Sequence, residues 1–123
     1  MIAGVVTSSR EAVIRFLVRG APGREEEVES VIDTGFTGFL TLPTPTVHSL
    51  GLPYAGAAQG TLADASIVSL DVFEAVVWWD DRERDILVLA AEGATLVGMA
   101  LLSGYRVPLD VESGGAVRIE ALP

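Results

Sequence analysis

The sequence predicts one mainly β domain with one or two short helices. Short apolar or alternating runs recur about every eight to twelve positions with turn-forming residues between them, a spacing typical of an all-β sandwich or barrel. The chain has 123 residues, enough for one hydrophobic core and too few for two, and half of the residues are hydrophobic. No repeat, low-complexity tract or linker divides the sequence. We therefore expect a single domain over residues 1–123.

The first half of the chain predicts four strands followed by a helix. The strands are expected at Ile2–Thr7, Ala12–Arg19, Glu27–Asp33 and Phe39–Leu42. After them, Thr44 is placed to cap a short helix that runs to Leu50. Pro45 takes the favoured first helical position, and Gly51 lies just beyond the end.

The second half predicts three hairpin-like units. In order, we expect two hairpin arms at Gly60–Ala63 and Ser66–Leu70, a long strand at Asp71–Trp79, a solvated turn at Asp80–Arg84, a returning strand at Asp85–Ala91, a short strand at Thr95–Gly98, a helical turn at Met99–Ser103 and a last hairpin from Tyr105–Val111 and Ala116–Ala121. Neighbouring residues of a strand face opposite sides. One of Trp78 and Trp79 is therefore expected in the core, and the other at the surface or at a contact.

Composition and charge limit the available chemistry. Eight arginines, no lysine and 17 acidic residues give a net charge of -9. This charge argues against nucleic acid and anionic membrane partners, which attract basic proteins. The absence of cysteine excludes disulfides, thiolate metal sites and thiol nucleophiles, and His48 alone cannot form a multi-histidine site. We expect no metal and no other cofactor, and a chemistry of carboxylates and hydroxyls.

No segment predicts secretion or membrane insertion. The N-terminal apolar run lacks a basic region and breaks at Ser8, before it reaches the length of a signal peptide. The segment Ile86–Tyr105 is about as long as a bilayer requires. However, Glu92 and Gly93 interrupt it as a turn would, so we interpret it as strands and a short helix. The expected location is the cytoplasm.

A single acidic residue borders the longest uncharged stretch of the chain. Between Asp33 and Asp64, thirty residues carry no Lys, Arg, Asp or Glu. A carboxylate in such surroundings is expected to be poorly solvated, which suits acid/base chemistry. Thr34 and Gly35 follow Asp33, and the glycine lets the backbone turn sharply and present its amide to the carboxylate. Alone, Asp-Thr-Gly is a weak signal, because Asp and Gly are among the commonest residues of ordinary turns.

In its context, the segment Ile32-Asp33-Thr34-Gly35-Phe36-Thr37-Gly38 resembles the active-site segment of retropepsin-like (clan AA) aspartic proteases of the bacterial single-domain type. A second segment, Thr95–Leu102, resembles that group's apolar-apolar-Gly strand and short helix, which pack beneath the catalytic loop. Residues 60–68 occupy the place of the flap hairpin. The resemblance covers residues 12–120 and implies a closed β-barrel-like retropepsin fold with one half-site per chain.

The resemblance also implies a mechanism and a partner. Aspartic proteases activate a water between two carboxylates that share one proton, and one chain supplies only Asp33. A homodimer with Asp33 and its symmetry mate on the two-fold axis is therefore expected. The implied catalytic residues are Asp33, Thr34, which would bond across the axis, and Gly35. Contacts with a peptide or protein substrate are expected at Phe36, Thr37, Gly60, Thr61, Leu62, Ala63, Asp64 and Ala65.

More specific predictions concern Thr37 and the turn of the flap. Thr37 lies where the group often has a Ser or Thr that bonds the outer carboxylate oxygen. The flap turn contains no glycine, so a tip that needs positive φ would rely on Asp64. The simplest interpretation of Asp64 is a turn-forming residue. The simplest interpretation of His48 is an exposed residue of the short helix.

Three hypotheses about function follow. The first is a cytoplasmic aspartic endopeptidase that cleaves an extended peptide between flap and dyad. The second is a catalytically inactive peptide-binding or dimerisation module on the same fold, since fold does not fix function. The third is a monomeric β-barrel with an accidental Asp-Thr-Gly. The sequence alone leaves all three open.

Overall fold

The computed structural model describes residues 1–61 and 64–123. In this part of the chain there are ten strands and two short helices, in the order β1 (Ile2–Val6), β2 (Ala12–Arg19), β3 (Glu25–Ile32), β4 (Leu40–Leu42), α1 (Thr44–Leu50), β5 (Tyr54–Thr61), β6 (Ile67–Trp79), β7 (Arg82–Ala90), β8 (Leu96–Val97), α2 (Met99–Leu102), β9 (Tyr105–Arg106) and β10 (Ala116–Ala121). The predicted mainly β fold with one or two short helices is confirmed. Neither helix of the described residues is long and apolar enough to cross a bilayer.

Six of the strands close into a ring. Its order is β6-β7-β4-β8-β3-β2, and it closes because β2 pairs with β6 at Val18↔Val77 and Arg19↔Val76. From the ring, β5 continues beyond β6, while β1, β10 and β9 continue in turn beyond β2. The chain's first and last strands thus pair with each other, with Ile2 opposite Ile119.

The inside of the ring holds the hydrophobic core around Trp79. This side chain is fully buried and makes edge-to-face contacts with Phe16 and Tyr105, at centroid distances of 5.5 and 6.2 Å. Trp78, on the opposite face of β6, is 46% exposed. The prediction that the two tryptophans separate between core and surface is confirmed.

The two long strands differ from their predicted extents. β6 runs without a break through Leu70 and Asp71, where the prediction divided it, and β5 already begins at Tyr54. Tyr54–Gly60 is rich in glycine and alanine, which have weak strand propensity, but pairing along β6 holds it extended. The turn after β6 contains only Asp80 and Asp81, both with positive φ, as in the two-residue turns that fit the twist of a hairpin.

Helix α1 occurs where predicted, but its start differs. The N-cap is Pro43, with extended backbone, and no side chain caps the helix. The prediction of Thr44 as the cap is wrong because Thr44 is already helical, and a capping residue has non-helical backbone. Gly51 ends the helix in the left-handed conformation, with φ of 61°, as predicted.

The short strand β8 positions the segment that carries Asp33. It lies between β3 and β4, parallel to β3 at Ile32↔Val97 and antiparallel to β4 at Leu40↔Val97. Residues 33–39, here called the Asp33 loop, connect β3 to β4 across the end of β8. The loop therefore lies directly against the start of α2.

Candidate active site

The backbone of Asp33 is fixed on both sides. Its N–H donates to the carbonyl of Val97 at 2.9 Å, which continues the pairing of β3 with β8. Its own carbonyl accepts the N–H of Phe36 at 3.1 Å, which closes a four-residue turn. The side chain of Asp33 consequently leaves the sheet at a defined point, the end of β3.

The carboxylate of Asp33 is oriented by the turn that follows it. The Gly35 N–H donates to Asp33 Oδ1 at 2.9 Å, so the predicted contact between this amide and the carboxylate is present. Hydrogen bonds to an ionised acceptor are roughly twice as strong as neutral ones. Thr34 and Gly35 are exposed at the turn.

Asp33 itself is only half-buried in the single chain. The expectation of a poorly solvated carboxylate stays a prediction. Of the thirty uncharged residues after Asp33, eighteen lie in β4, α1 and β5.

Helix α2 supports the Asp33 loop from beneath. Met99 N–H donates to the Phe36 carbonyl at 2.8 Å, and Ala100 N–H donates to the Gly38 carbonyl at 3.1 Å. The first amides of a helix lack partners within the helix, so the loop carbonyls satisfy them. Gly98 N–H adds a bond of 3.0 Å to the Phe39 carbonyl. The predicted packing of Thr95–Leu102 beneath the loop is confirmed.

Two glycines make this close packing possible. A Cβ on Gly98 would overlap the Gly38 carbonyl oxygen and lie 2.6 Å from Phe36 Cδ2. A Cβ on Gly38 would lie 2.7 Å from two atoms of the Phe36 ring. The half-buried ring of Phe36 thus fills the space above both glycines. No role was predicted for Gly38, although it lies three residues after Gly35 in the same loop.

The other predicted residues of the loop lie at its surface. Thr37 is exposed, and no hydrogen bond from its hydroxyl to the Asp33 carboxylate occurs among residues 1–61 and 64–123. The turn closed by Phe36 separates Thr37 from the carboxylate.

The predicted flap is the far end of the β5–β6 hairpin. Gly60 pairs with Val68, and Thr61 with Ile67. One face of this hairpin is half-buried, at Ala58, Gly60, Val68 and Leu70, and the other is exposed, at Gln59, Thr61, Ile67 and Ser69. The predicted contact residues Leu62 and Ala63 lie outside the described residues.

The flap tip is organised by Asp64. Its Oδ1 accepts the Ser66 hydroxyl at 2.6 Å and the Ser66 N–H at 2.9 Å. These two bonds, the hydroxyl bond first, lower the pKa of Asp64 below its ordinary value. The interpretation of Asp64 as a turn former is confirmed. The residue after Asp64, Ala65, adopts the left-handed conformation, with φ of 67°.

Other features of the chain do not include Asp33. His48 is exposed on α1. Within the described ranges, no group of three or more His, Cys, Asp or Glu side chains is arranged to hold a metal ion. A cleft of about 590 Å³ is lined by Arg19, Phe39, Glu74 and Leu87 among others, and Asp33 is not one of its lining residues.

Comparison with known proteins places the fold. A solved structure described as a retropepsin-like aspartic protease from Rickettsia conorii matches with a TM-score of 0.58 and 13% identity, over 99% of this chain and 92% of that one. No family model and no curated protein matches the sequence. At this identity the likeness establishes the fold. The predicted retropepsin-like fold is thus confirmed.

Proposed function

We propose that this protein is an aspartic endopeptidase that works as a homodimer, with Asp33 of each chain supplying one of two catalytic carboxylates. The observation that carries the proposal is the fixed carboxylate of Asp33. It is oriented by the Gly35 amide in a loop that α2 holds from beneath, on a retropepsin-like fold. Because one chain contains one such loop, a two-carboxylate mechanism needs a second copy.

In the proposed reaction, a water lies between the two Asp33 carboxyl groups, of which one is ionised and one protonated. The ionised group takes a proton from the water as the water oxygen attacks the substrate amide carbon. The protonated group gives its proton to the carbonyl oxygen. When the tetrahedral intermediate collapses, the C–N bond breaks as the protonated carboxyl group gives its proton to the leaving nitrogen. The ionised carboxylate takes a proton from a hydroxyl of the intermediate, which yields an acid and an amine.

The proposed dimer brings the two Asp33 loops together on a two-fold axis. Thr34 is exposed at the turn, which fits its proposed hydrogen bond across the axis. Because β1 and β10 pair within one chain, with Ile2 opposite Ile119, we propose contact between the loops without exchange of terminal strands. This arrangement is isologous, so each copy contributes the same residues.

The substrate in this proposal is an extended peptide under the flap. In the part of the chain that the structure describes, β5 is an outer strand paired with β6 alone, so its free edge offers backbone groups of the kind that bind extended chains. Flap contacts are proposed at Gly60, Thr61, Leu62, Ala63, Asp64 and Ala65, and loop contacts at Phe36 and Thr37.

Cleavage of an unbiased peptide library from acidic to neutral pH, read by mass spectrometry, tests the proposal. The decisive variant is Asp33→Asn, which keeps an oxygen for the Gly35 amide and removes the acid. Asp110→Asn is a matched control, because it changes an exposed carboxylate outside both the Asp33 loop and the proposed flap. Cuts lost only in Asp33→Asn support the proposal, and cuts that persist in Asp33→Asn contradict it.

Light scattering on the same samples separates the remaining alternatives. A dimer that cuts nothing favours the catalytically inactive peptide-binding module. A strictly monomeric protein without activity favours an accidental Asp-Thr-Gly, since a single chain cannot supply two Asp33 carboxylates.

A further inference from the structure

Arg84 connects β7 to both parts of the candidate site. Its Nη1 donates to the Leu101 carbonyl at 3.0 Å and its Nη2 to the Ala100 carbonyl at 3.4 Å. Its guanidinium carbon lies 5.7 Å from the centroid of the Phe39 ring, within the range of a cation–π contact. Arg84 therefore contacts the end of α2 and the last residue of the Asp33 loop at once.

Helix α2 needs such a partner because it is short. It contains four residues, and helices of this length are not stable alone. The last carbonyls of a helix have no partners within it. Its C-cap, Ser103, has φ of -57° and so does not adopt the left-handed conformation that commonly satisfies them. A guanidinium supplies donors and a favourable positive charge at this end.

The opposite end of α2 holds the Asp33 loop. The Met99 and Ala100 amides donate to the carbonyls of Phe36 and Gly38. An interaction that fixes the last residues of α2 thus also fixes the Met99 and Ala100 amides, to which the loop carbonyls are hydrogen-bonded. The path from Arg84 to the carboxylate of Asp33 runs through one short helix and one loop.

Arg84 differs in this respect from the ion-paired arginines of the outer surface. Arg15 pairs with Glu29 and Arg19 with Glu83, through side chains that are 45–65% exposed. Such surface pairs contribute about 0–1 kcal/mol to stability. Arg84 is half-buried, and its donors bind backbone carbonyls of another element.

We infer that Arg84 is a positioning residue that holds α2 and thereby sets the placement of the two Asp33 carboxylates. The inference rests on the proposed function, because placement matters for catalysis only if Asp33 is catalytic. Errors of about 1 Å in a catalytic group can lower the rate roughly 100-fold even when the altered residue lies outside the chemistry. The role belongs to arginine in particular, since a lysine cannot bind two carbonyls and cover an aromatic ring with one planar group.

The test compares Arg84→Met and Arg84→Lys with two controls. Arg15→Met removes an exposed arginine from the outer surface. Val47→Ala weakens the core at the fully buried Val47 of α1. It controls for any loss of Tm that the Arg84 variants show. For each dimeric protein, kcat and KM are measured on a cleaved peptide, and hydrogen exchange is followed at the Met99 and Ala100 amides.

We expect Arg84→Met to lower kcat by about 10- to 100-fold with KM nearly unchanged, and to speed exchange at Met99 and Ala100 about tenfold or more. Arg84→Lys should fall between Arg84→Met and wild type. Arg15→Met and Val47→Ala should retain kcat. A kcat loss in Arg84→Met no larger than in Val47→Ala, or unchanged exchange at the two amides, would overturn the inference.

Failure of the proposed function gives a different pattern. If the wild-type dimer cuts nothing, the protease proposal fails, whereas amide exchange still decides what Arg84 holds. Faster exchange at Met99 and Ala100 in Arg84→Met then supports Arg84 as the residue that fixes the loop. Wild-type exchange at these amides contradicts it.

Discussion

The Gly35 amide points at the carboxylate of Asp33, and the two groups are joined by a hydrogen bond of 2.9 Å to Oδ1. A Cβ added to Gly35 would lie 3.2 Å from the same oxygen. The carboxylate therefore sits as close to the backbone as it does because residue 35 has no side chain. This relationship ties the orientation of the acid to the residue two positions after it.

Gly35→Ala should reduce activity while it preserves the fold. The new methyl group must displace the Asp33 carboxylate by a few tenths of an ångström, because the backbone on either side is fixed by β8 and by Phe36. We expect kcat/KM to fall by about 10- to 100-fold with little change in Tm. Kinetics on a cleaved peptide, with Tm from thermal unfolding, checks this. Wild-type kcat/KM in this variant would show that the contact does not orient the acid.

Gly98→Ala should destabilise the whole protein. Its Cβ would overlap backbone of the Asp33 loop, 2.7 Å from the Phe36 carbonyl oxygen, and backbone cannot move aside as a flexible side chain can. Overpacking of this kind costs about 1–3 kcal/mol, which corresponds to roughly 5–15 °C in Tm for a domain of this size. Calorimetry measures the change.

Gly60→Ala is the matched control for that experiment. Its Cβ would lie 3.5 Å from Leu70 and 3.9 Å from Val68, which are ordinary contacts. Its Tm should stay within a few degrees of wild type. Equal Tm values for the Gly98 and Gly60 variants would contradict the close packing beneath the loop.

The flap tip should depend on pH through Asp64. Hydrogen bonds from the Ser66 hydroxyl and amide lower the pKa of Asp64, so the folded value lies below the unfolded value of about 3.9. For a carboxyl group of this kind, the stabilisation is fully present above the unfolded pKa and is lost as pH falls through the folded pKa. The tip turn should therefore loosen only in strongly acidic solution.

Ser66→Ala tests this assignment directly. Removing the hydroxyl bond should raise the pKa of Asp64 toward its ordinary value, as followed by NMR titration of the carboxyl carbon. Ser69→Ala changes an exposed serine of β6 and should leave the titration unchanged. An unaltered Asp64 pKa in Ser66→Ala would mean that the amide alone holds the carboxylate.

The local chemistry of the loop could be predicted from the sequence because its interactions are short in sequence. Gly35 lies two residues from Asp33, and its amide contact follows from a tight turn at a strand end. The β8–α2 unit was found through its resemblance to a known segment. Trp78 and Trp79 separated as strand geometry requires.

The features that escaped prediction depend on distant partners. The glycine- and alanine-rich start of β5 is held extended by β6, and Arg84 reaches carbonyls of α2, 16 and 17 residues away.

The central claim, that one active site needs Asp33 from two chains, is tested most directly by mixing subunits. Wild-type and Asp33→Asn chains are combined in equal amounts, unfolded and refolded together so that they pair at random, and assayed for peptide cleavage. If both carboxylates are required, only dimers with two wild-type chains are active, and activity should fall to about a quarter of that of an all-wild-type sample. A fall to about one half would show that each chain acts alone and would contradict the account.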